Sequence, residues 1–168
     1  MKNLALIPAR GGSKRILKKN IKLFKNKPMI VWSIEAALKS KCFDEILVST
    51  DDQEIADIAK EYGANVPFLR PKELADDFST THEVVKHAID WLFINQKRVY
   101  ENICCIYATA PLVQVEDLRK SLTILENAHE DIYVFAATSY PFPIHRSIFI
   151  DDKGYSSMVY PEKFQLRS

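Results

Sequence analysis

Residues Leu4-Ala5-Leu6-Ile7-Pro8-Ala9-Arg10-Gly11-Gly12-Ser13-Lys14-Arg15, continuing to Lys18-Lys19-Asn20, set a short apolar run against a glycine-bearing, basic one. The first part, Leu4 to Pro8, predicts a buried strand. The second predicts a loop whose bare backbone N–H groups approach phosphate oxygens while Arg and Lys side chains neutralise their charge. Its spacing is neither the GxxxxGK(S/T) of a P-loop nor the GxGxxG of a dinucleotide site, so a different phosphate cradle is expected. Gly11 and Gly12 permit close backbone approach, Arg10 can grip phosphate bidentately, and Lys14 and Lys19 can act as point charges. The residues imply a polyphosphate ligand without naming it. A solvated lysine-rich loop is the competing reading, and it leaves the Gly-Gly pair directly after a buried strand unexplained.

Charge is divided unevenly along the chain. From Met1 to Ile34 there are nine Lys or Arg residues and no acid, within a total of 23 basic and 22 acidic residues. A formal net charge of +1 therefore conceals one strongly positive end. Lysine clusters also attract nucleic-acid backbones. Here only Phe24 and Trp32 interleave with the charges, and the glycine-bearing loop suits a compact ligand, so no nucleic-acid partner is expected.

With 168 residues, 47% of them hydrophobic and 27% charged, the chain fits one globular domain, 1–168, with a substantial core. No apolar run approaches the roughly 20 residues needed to span a bilayer, and no secretory signal is evident, so a cytoplasmic protein without a membrane partner is expected. Cys42, Cys104 and Cys105 have no metal-ligand spacing and read as reduced structural thiols. His82, His87, His129 and His145 show no zinc spacing.

Strand and helix patterns alternate. Pro28 opens a helix reaching Ser40, and Ile46 to Thr50 reads as a buried strand. Asp51 and Glu54 are expected to cap a helix ending near Tyr62-Gly63. Val66 to Leu69 reads as a short strand interrupted by Pro67. Thr80 and Glu83 repeat the capping-box spacing before a longer helix with Val84, Ala88, Trp91 and Leu92 inward. Ile103 to Tyr107 is expected to be a buried strand, with Cys104 and Cys105 on opposite faces. Val115, Leu118, Leu122 and Leu125 mark an amphipathic helix, and Ile132 to Thr138 a fifth strand. Tyr140-Pro141-Phe142-Pro143 reads as extended or turn, and Asp151-Asp152-Lys153-Gly154 as a hairpin turn. This alternation implies an α/β fold with a mostly parallel sheet and helices on both faces. Ligands of such sheets sit beyond the carboxyl ends of the strands, which gathers the basic loop, Arg70 and Tyr107 to Pro111 around one crevice.

The segment from Leu6 to Asn20 closely resembles the N-terminal signature of the CMP-sialic acid synthetase-like cytidylyltransferases. The likeness continues through Pro28-Met29-Ile30, Phe43-Asp44-Glu45-Ile46-Leu47-Val48-Ser49-Thr50-Asp51, Leu69-Arg70-Pro71-Lys72-Glu73-Leu74 and Tyr107-Ala108-Thr109-Ala110-Pro111-Leu112, covering most of the chain. Tyr107, where sialic acid enzymes typically carry Gln, and the run Pro141 to Arg146 favour the branch that activates pseudaminic acid. The resemblance implies a Rossmann-like nucleotidyltransferase fold. It also implies an Mg²⁺-dependent reaction of CTP with an acidic nine-carbon sugar that releases pyrophosphate and gives a CMP-sugar for surface glycan or flagellin glycosylation. A sister activity on sialic or legionaminic acid is the nearest rival.

By matching motif positions, Arg10, Lys14 and Lys19 would grip the triphosphate, with Lys19 the leading catalytic candidate. Asn20 would contact the sugar–phosphate portion of the nucleotide. Ala9, Gly11, Gly12 and Ser13 would supply loop contacts, Arg70 and Thr81 would hold the cytidine, and Tyr107, Thr109 and Pro111 would shape the sugar side. Each has a plainer competitor: Arg70 as a surface ion-pair partner, Thr81 as a helix cap, Tyr107 as an aromatic lid on the core. Asp51 and Asp52 could hold a metal, but capping is the favoured reading, and no metal ligand is assigned. His145 and Arg146 could meet a sugar carboxylate or form a surface loop. Leu17 and Ala108 replace prolines usual in the family. Members also continue past this endpoint with acidic metal-binding residues and a dimer-building segment. A homodimer is therefore expected where that portion is present, and a non-catalytic nucleotide-binding fragment is the alternative where it is not.

Overall fold

The computed structural model describes residues 2–139, 141 and 143–163. It divides into two compact units, Met1–Val134 and Phe135–Ser168. In the first, three parallel strands form a sheet in the order β4 (Glu45–Ser49), β1 (Asn3–Pro8), β5 (Asn102–Cys105). β1 is central and Leu4 to Ile7 are fully buried, which explains why their run is apolar without alternation. The register pairs Leu6 with Leu47 on one side and with Cys105 on the other.

Period-2 alternation divides β1 between two cores. Ala5 and Ile7, with Ile46 and Val48 of β4, face α1 (Met29–Ser40), α2 (Gln53–Glu61) and Leu118 of α4 (Val115–Glu126). Leu4, Leu6 and Leu47 face Ala88 and Leu92 of α3 (Thr81–Gln96). The first crossover runs from β1 out to β4 and the second returns past β1 to β5. α1, on the way out from β1 to β4, and α2, on the way onward from β4 to the bridged residues Asn65 and Leu69, share one face, while α3, on the return to β5, lies on the other, as right-handed crossovers travelling in opposite directions require. A short hairpin, β2 (Leu23–Phe24) with β3 (Lys27–Pro28), leads into α1. This parallel sheet with helices on both faces is the expected Rossmann-like α/β arrangement. No helix of the described residues is long and apolar enough to cross a membrane.

The Thr80–Glu83 capping box is present reciprocally, and Tyr62 caps α2 before Gly63 at φ 89°. Four expectations change. The cap of α2 is Asp52, whose Oδ1 accepts from the Ile55 N–H at 3.1 Å; Asp51 is turned toward the basic loop, and Glu54 pairs with Lys18 instead of closing a box. The segment Val66–Leu69 forms no strand, only the isolated bridges Leu47–Asn65 and Thr50–Leu69, because Pro67 has no N–H to extend a ladder between them. The strand expected over Ile103–Tyr107 ends at Cys105, and it is half-exposed: Cys104 packs into the α1 core while Ile103 and Cys105 are exposed beyond the reach of α3. Ile132–Thr138 is not a strand. Tyr133 and Phe135 are 97% and 81% exposed, and no strand among the described residues pairs with the outer edge of β5 to receive it.

In the second unit, β6 (Ile148–Ile150) and β7 (Ser156–Met158) form the expected hairpin, with Gly154 at φ 85°. The Asp151 carboxylate accepts from the N–H groups of Lys153 and Tyr155, each at 2.9 Å. His145 and Arg146 sit on a single 3₁₀ turn, Ile144–Arg146. Tyr140 and Phe142 of the expected turn, and Phe164 to Ser168, lie outside the described residues.

Candidate functional site

β4 and β5 leave β1 in opposite directions, so the connections after β1 and β5 diverge and open a crevice at the carboxyl ends of the strands. The basic loop fills one side of it. The Ala9 N–H donates to Ser49 O at 3.0 Å and the Gly11 N–H to Asp51 Oδ1 at 3.0 Å. Asn20 is buried, and its Nδ2 donates to the Arg10 carbonyl at 2.8 Å, tying the loop's two ends together. Lys18, at φ 50°, pairs with Glu54, whose hydrogen bond and charge push the Lys18 pKa up.

These contacts revise the role of the glycines. A Cβ on Gly11 would lie 2.5 Å from Asp52 Oδ2, so the close approach that requires glycine is to the β4–α2 turn. Gly12 has nothing within 4 Å of its would-be Cβ and its N–H has no partner among the described residues, which leaves that amide available to a ligand. The Ser13 N–H turns back onto Gly11 O at 2.8 Å.

Arg10 and Lys14 share one carboxylate, and Lys19 stands apart from it. Arg10 Nη2 lies 2.7 Å from Asp77 Oδ1, and its Nη1 donates to the Asp76 carbonyl. Lys14 Nζ lies 2.5 Å from Asp77 Oδ2. Lys14 first and Arg10 second hold the Asp77 carboxyl below the usual range. Lys19 is half-buried and has no carboxylate partner among the described residues.

Arg70 is buried, with its side chain 3% exposed, and is no surface ion-pair partner. Its N–H donates to Thr50 O at 2.7 Å, and its Nη2 faces Asp51 Oδ1 at 3.6 Å. Nε and Nη2 have no hydrogen-bond partner among the described residues, and burial lowers the Arg70 pKa against the opposing pull of Asp51. One Asp51 oxygen thus joins the loop amide to the buried guanidinium.

The other side of the crevice is built by the β5 connection. Ser33 Oγ of α1 donates to the Tyr107 carbonyl at 2.9 Å, and Ala108 is buried in the α1 core. Tyr107 is 59% exposed, so it does not roof the core, and its hydroxyl stands 3.4 Å from Thr81 Oγ1. Thr80, not Thr81, caps α3, which frees Thr81 for that meeting. Thr109 is exposed and Pro111 half-buried in the same connection. Leu17, at the tip of the basic loop, is 81% exposed. Sequence reasoning missed Asp77, Asp51's tie to Arg70, and Ser33; the acidic pair Asp76-Asp77, one residue beyond the Leu69 to Leu74 block, was the available signal for Asp77.

No group of three His, Cys, Asp or Glu side chains able to hold a metal occurs among the described residues. Asp51 and Asp52 spend Oδ1 on the Gly11 amide and the α2 cap and keep Oδ2, so among the described residues they would hold an Mg²⁺ ion only together with the oxygens of a bound triphosphate.

The sequence model of the Cytidylyltransferase family matches residues 4–148. The chain is 43% identical over its whole length to the pseudaminic acid cytidylyltransferase of Campylobacter jejuni, of which it spans 72%. It is 40% identical, over 98% of its length, to the CMP-N,N'-diacetyllegionaminic acid synthase of Legionella pneumophila, spanning 69% of that protein. Among solved structures, a CMP:2-keto-3-deoxy-manno-octonic acid synthetase complexed with CTP superimposes with a TM-score of 0.64 at 21% identity, over 76% of this chain and 48% of that one. The last likeness concerns the fold.

Proposed function

The chain belongs to the cytidylyltransferase family, and from that premise we propose that it transfers CMP from CTP to a nonulosonic acid of the pseudaminic acid type, releasing pyrophosphate. The observation that carries the site assignment is Lys19. In a loop where Arg10, Lys14 and Lys18 each meet a carboxylate, the half-buried Lys19 has none among the described residues. A partly desolvated, unpaired ammonium calls for an anion from outside the protein.

In the transfer, the anomeric hydroxyl oxygen of the sugar bonds to the α-phosphorus and gives up its proton to water, while the bond to the bridging oxygen breaks and pyrophosphate leaves with that electron pair. The protein's part is positioning and charge stabilisation. Lys19 meets charge developing on the phosphoryl oxygens, Arg10 and Lys14 hold the triphosphate, and the Gly12 amide adds a neutral donor. Asn20 fixes the Arg10 backbone from beneath. Arg70, with two unsatisfied nitrogens, offers donors on the cytidine side, and Thr81 with Tyr107 forms a hydroxyl pair on the sugar side. No step is assigned to a metal ion; one bound with the triphosphate would add charge neutralisation on its oxygens.

The test is a pyrophosphate-release assay with purified protein, CTP, Mg²⁺ and a panel of pseudaminic, legionaminic and sialic acids. Release with pseudaminic acid is expected. Release with another acid of the panel alone would move the assignment to that sugar, and CTP binding without release would reduce the function to nucleotide binding.

A further inference from the structure

We propose that Asp77 is an internal counter-anion of the triphosphate seat, which the incoming triphosphate displaces from Arg10 and Lys14. The inference rests on the reading of the basic loop given above and goes beyond it by naming a residue that sets nucleotide affinity without being a ligand of the nucleotide.

The Asp77 carboxylate uses both oxygens, one on Arg10 Nη2 at 2.7 Å and the other on Lys14 Nζ at 2.5 Å. This is the bridging geometry a phosphate would adopt between the same two cations. The Arg10 Nη1 donates to the Asp76 carbonyl, so one short stretch of chain engages both of its terminal nitrogens. That stretch is built for presentation. The Asp76 side chain folds back over its own turn and accepts from the Phe78 N–H at 2.9 Å, the Ser79 N–H at 2.7 Å and Ser79 Oγ at 2.7 Å. Asp77 is thereby left on the outside of the turn, while Phe78 beside it is 88% exposed.

The contact is also weak enough to yield. The side chains of Arg10, Asp77 and Lys14 are 35%, 37% and 81% exposed, so water and salt compete with every bond of the bridge. A single carboxylate opposes a ligand carrying several negative charges and many more acceptor oxygens. Lys19 lies outside the bridge and stays available to attract that ligand before the bridge opens.

Removing the counter-anion raises the fraction of seats open to the ligand. Asp77→Asn is therefore expected to tighten binding of CTP and of inorganic tripolyphosphate by about threefold to tenfold, the occupancy of an exposed two-cation bridge. Cytidine, which carries no phosphate, should bind as before, and the gain should shrink as salt is raised. Calorimetric titration of wild type, Asp77→Asn and Asp77→Ser, each checked for an unchanged melting temperature, gives the answer. Weaker or unchanged tripolyphosphate binding in both variants overturns the proposal, because Asp77 would then orient the cations or leave them unaffected. Wild-type protein that binds tripolyphosphate but prefers other nucleoside triphosphates to CTP overturns the cytidylyltransferase reading instead, and the tripolyphosphate comparison still decides the role of Asp77.

Discussion

Gly11 and Asp52 touch so closely that a methyl group on Gly11 would stand 2.5 Å from the Asp52 Oδ2 and 2.8 Å from its Cβ. The carboxylate oxygen could swing aside, but the Cβ is fixed by the backbone of the α2 cap. Gly11→Ala must therefore push the basic loop off the β4–α2 turn and stretch the Gly11 N–H bond to Asp51. A loss of about 1–3 kcal/mol in unfolding free energy is expected, as for other overpacked sites, with weaker CTP binding. Gly12→Ala meets open space and should stay within about 0.5 kcal/mol of wild type. Denaturant melts of the two variants test the contrast, and equal stability in both would show that the loop does not sit as described.

Lys19 and Lys18 are neighbours with opposite expectations. Lys18 lies on Glu54 at the surface, and Lys19 is half-buried without a carboxylate. Lys19→Ala should reduce kcat for pyrophosphate release on the order of a hundredfold or more, the scale of a lost charge-stabilising donor, while thermal unfolding hardly moves. Lys18→Ala should leave kcat within a few-fold. Loss of folding in Lys19→Ala would assign that lysine to structure.

Signals carried by neighbouring residues were legible in the sequence. Leu4 to Ile7 are apolar at every position because both faces of β1 are covered, and the Thr80–Glu83 box needs only one helical turn to form. Choices made by distant partners were not. Asp51 and Asp52 are equally able caps, and Gly11, forty residues earlier, decides between them by taking Asp51. Ile132 to Thr138 is an apolar run with the composition of a strand, but a strand exists only where another offers a ladder. In the site the same division holds. The cations cluster in one stretch and announce themselves, whereas the carboxylates that meet them, Asp77 and Glu54, come from other elements.

Asp51 links the loop to Arg70, and its removal should be costly for two reasons. Asp51→Ala leaves the Gly11 N–H without its acceptor and the buried Arg70 guanidinium without its counter-charge at 3.6 Å. Stranding a buried charge typically costs about 3–5 kcal/mol. Asp51→Asn keeps an oxygen for Gly11 and loses only the charge, so it should fall between wild type and Asp51→Ala. Chemical unfolding of the three proteins gives the order. If Asp51→Asn were as stable as wild type, the Arg70 pairing would contribute nothing.

At the opposite end of the sheet, the Tyr100 hydroxyl donates to the Glu45 carboxylate, which also accepts from Arg98 Nη1 at 2.7 Å. Burial first, and Glu45 second, pushes the Tyr100 pKa up to about 12. An unfolded tyrosine titrates near 10, as in model peptides. Between those two values the folded protein retains a proton that the unfolded chain has released, so stability must fall as pH rises through that window. Below about pH 10 both states are protonated and the contribution is fully present. Tyr100→Phe has no proton to lose there. Wild type should therefore lose stability more steeply than Tyr100→Phe between about pH 10 and 12, and one of the seven tyrosines should ionise late by ultraviolet absorbance. Parallel stability curves for the two proteins across that range would mean that Glu45 and Tyr100 do not share the proton.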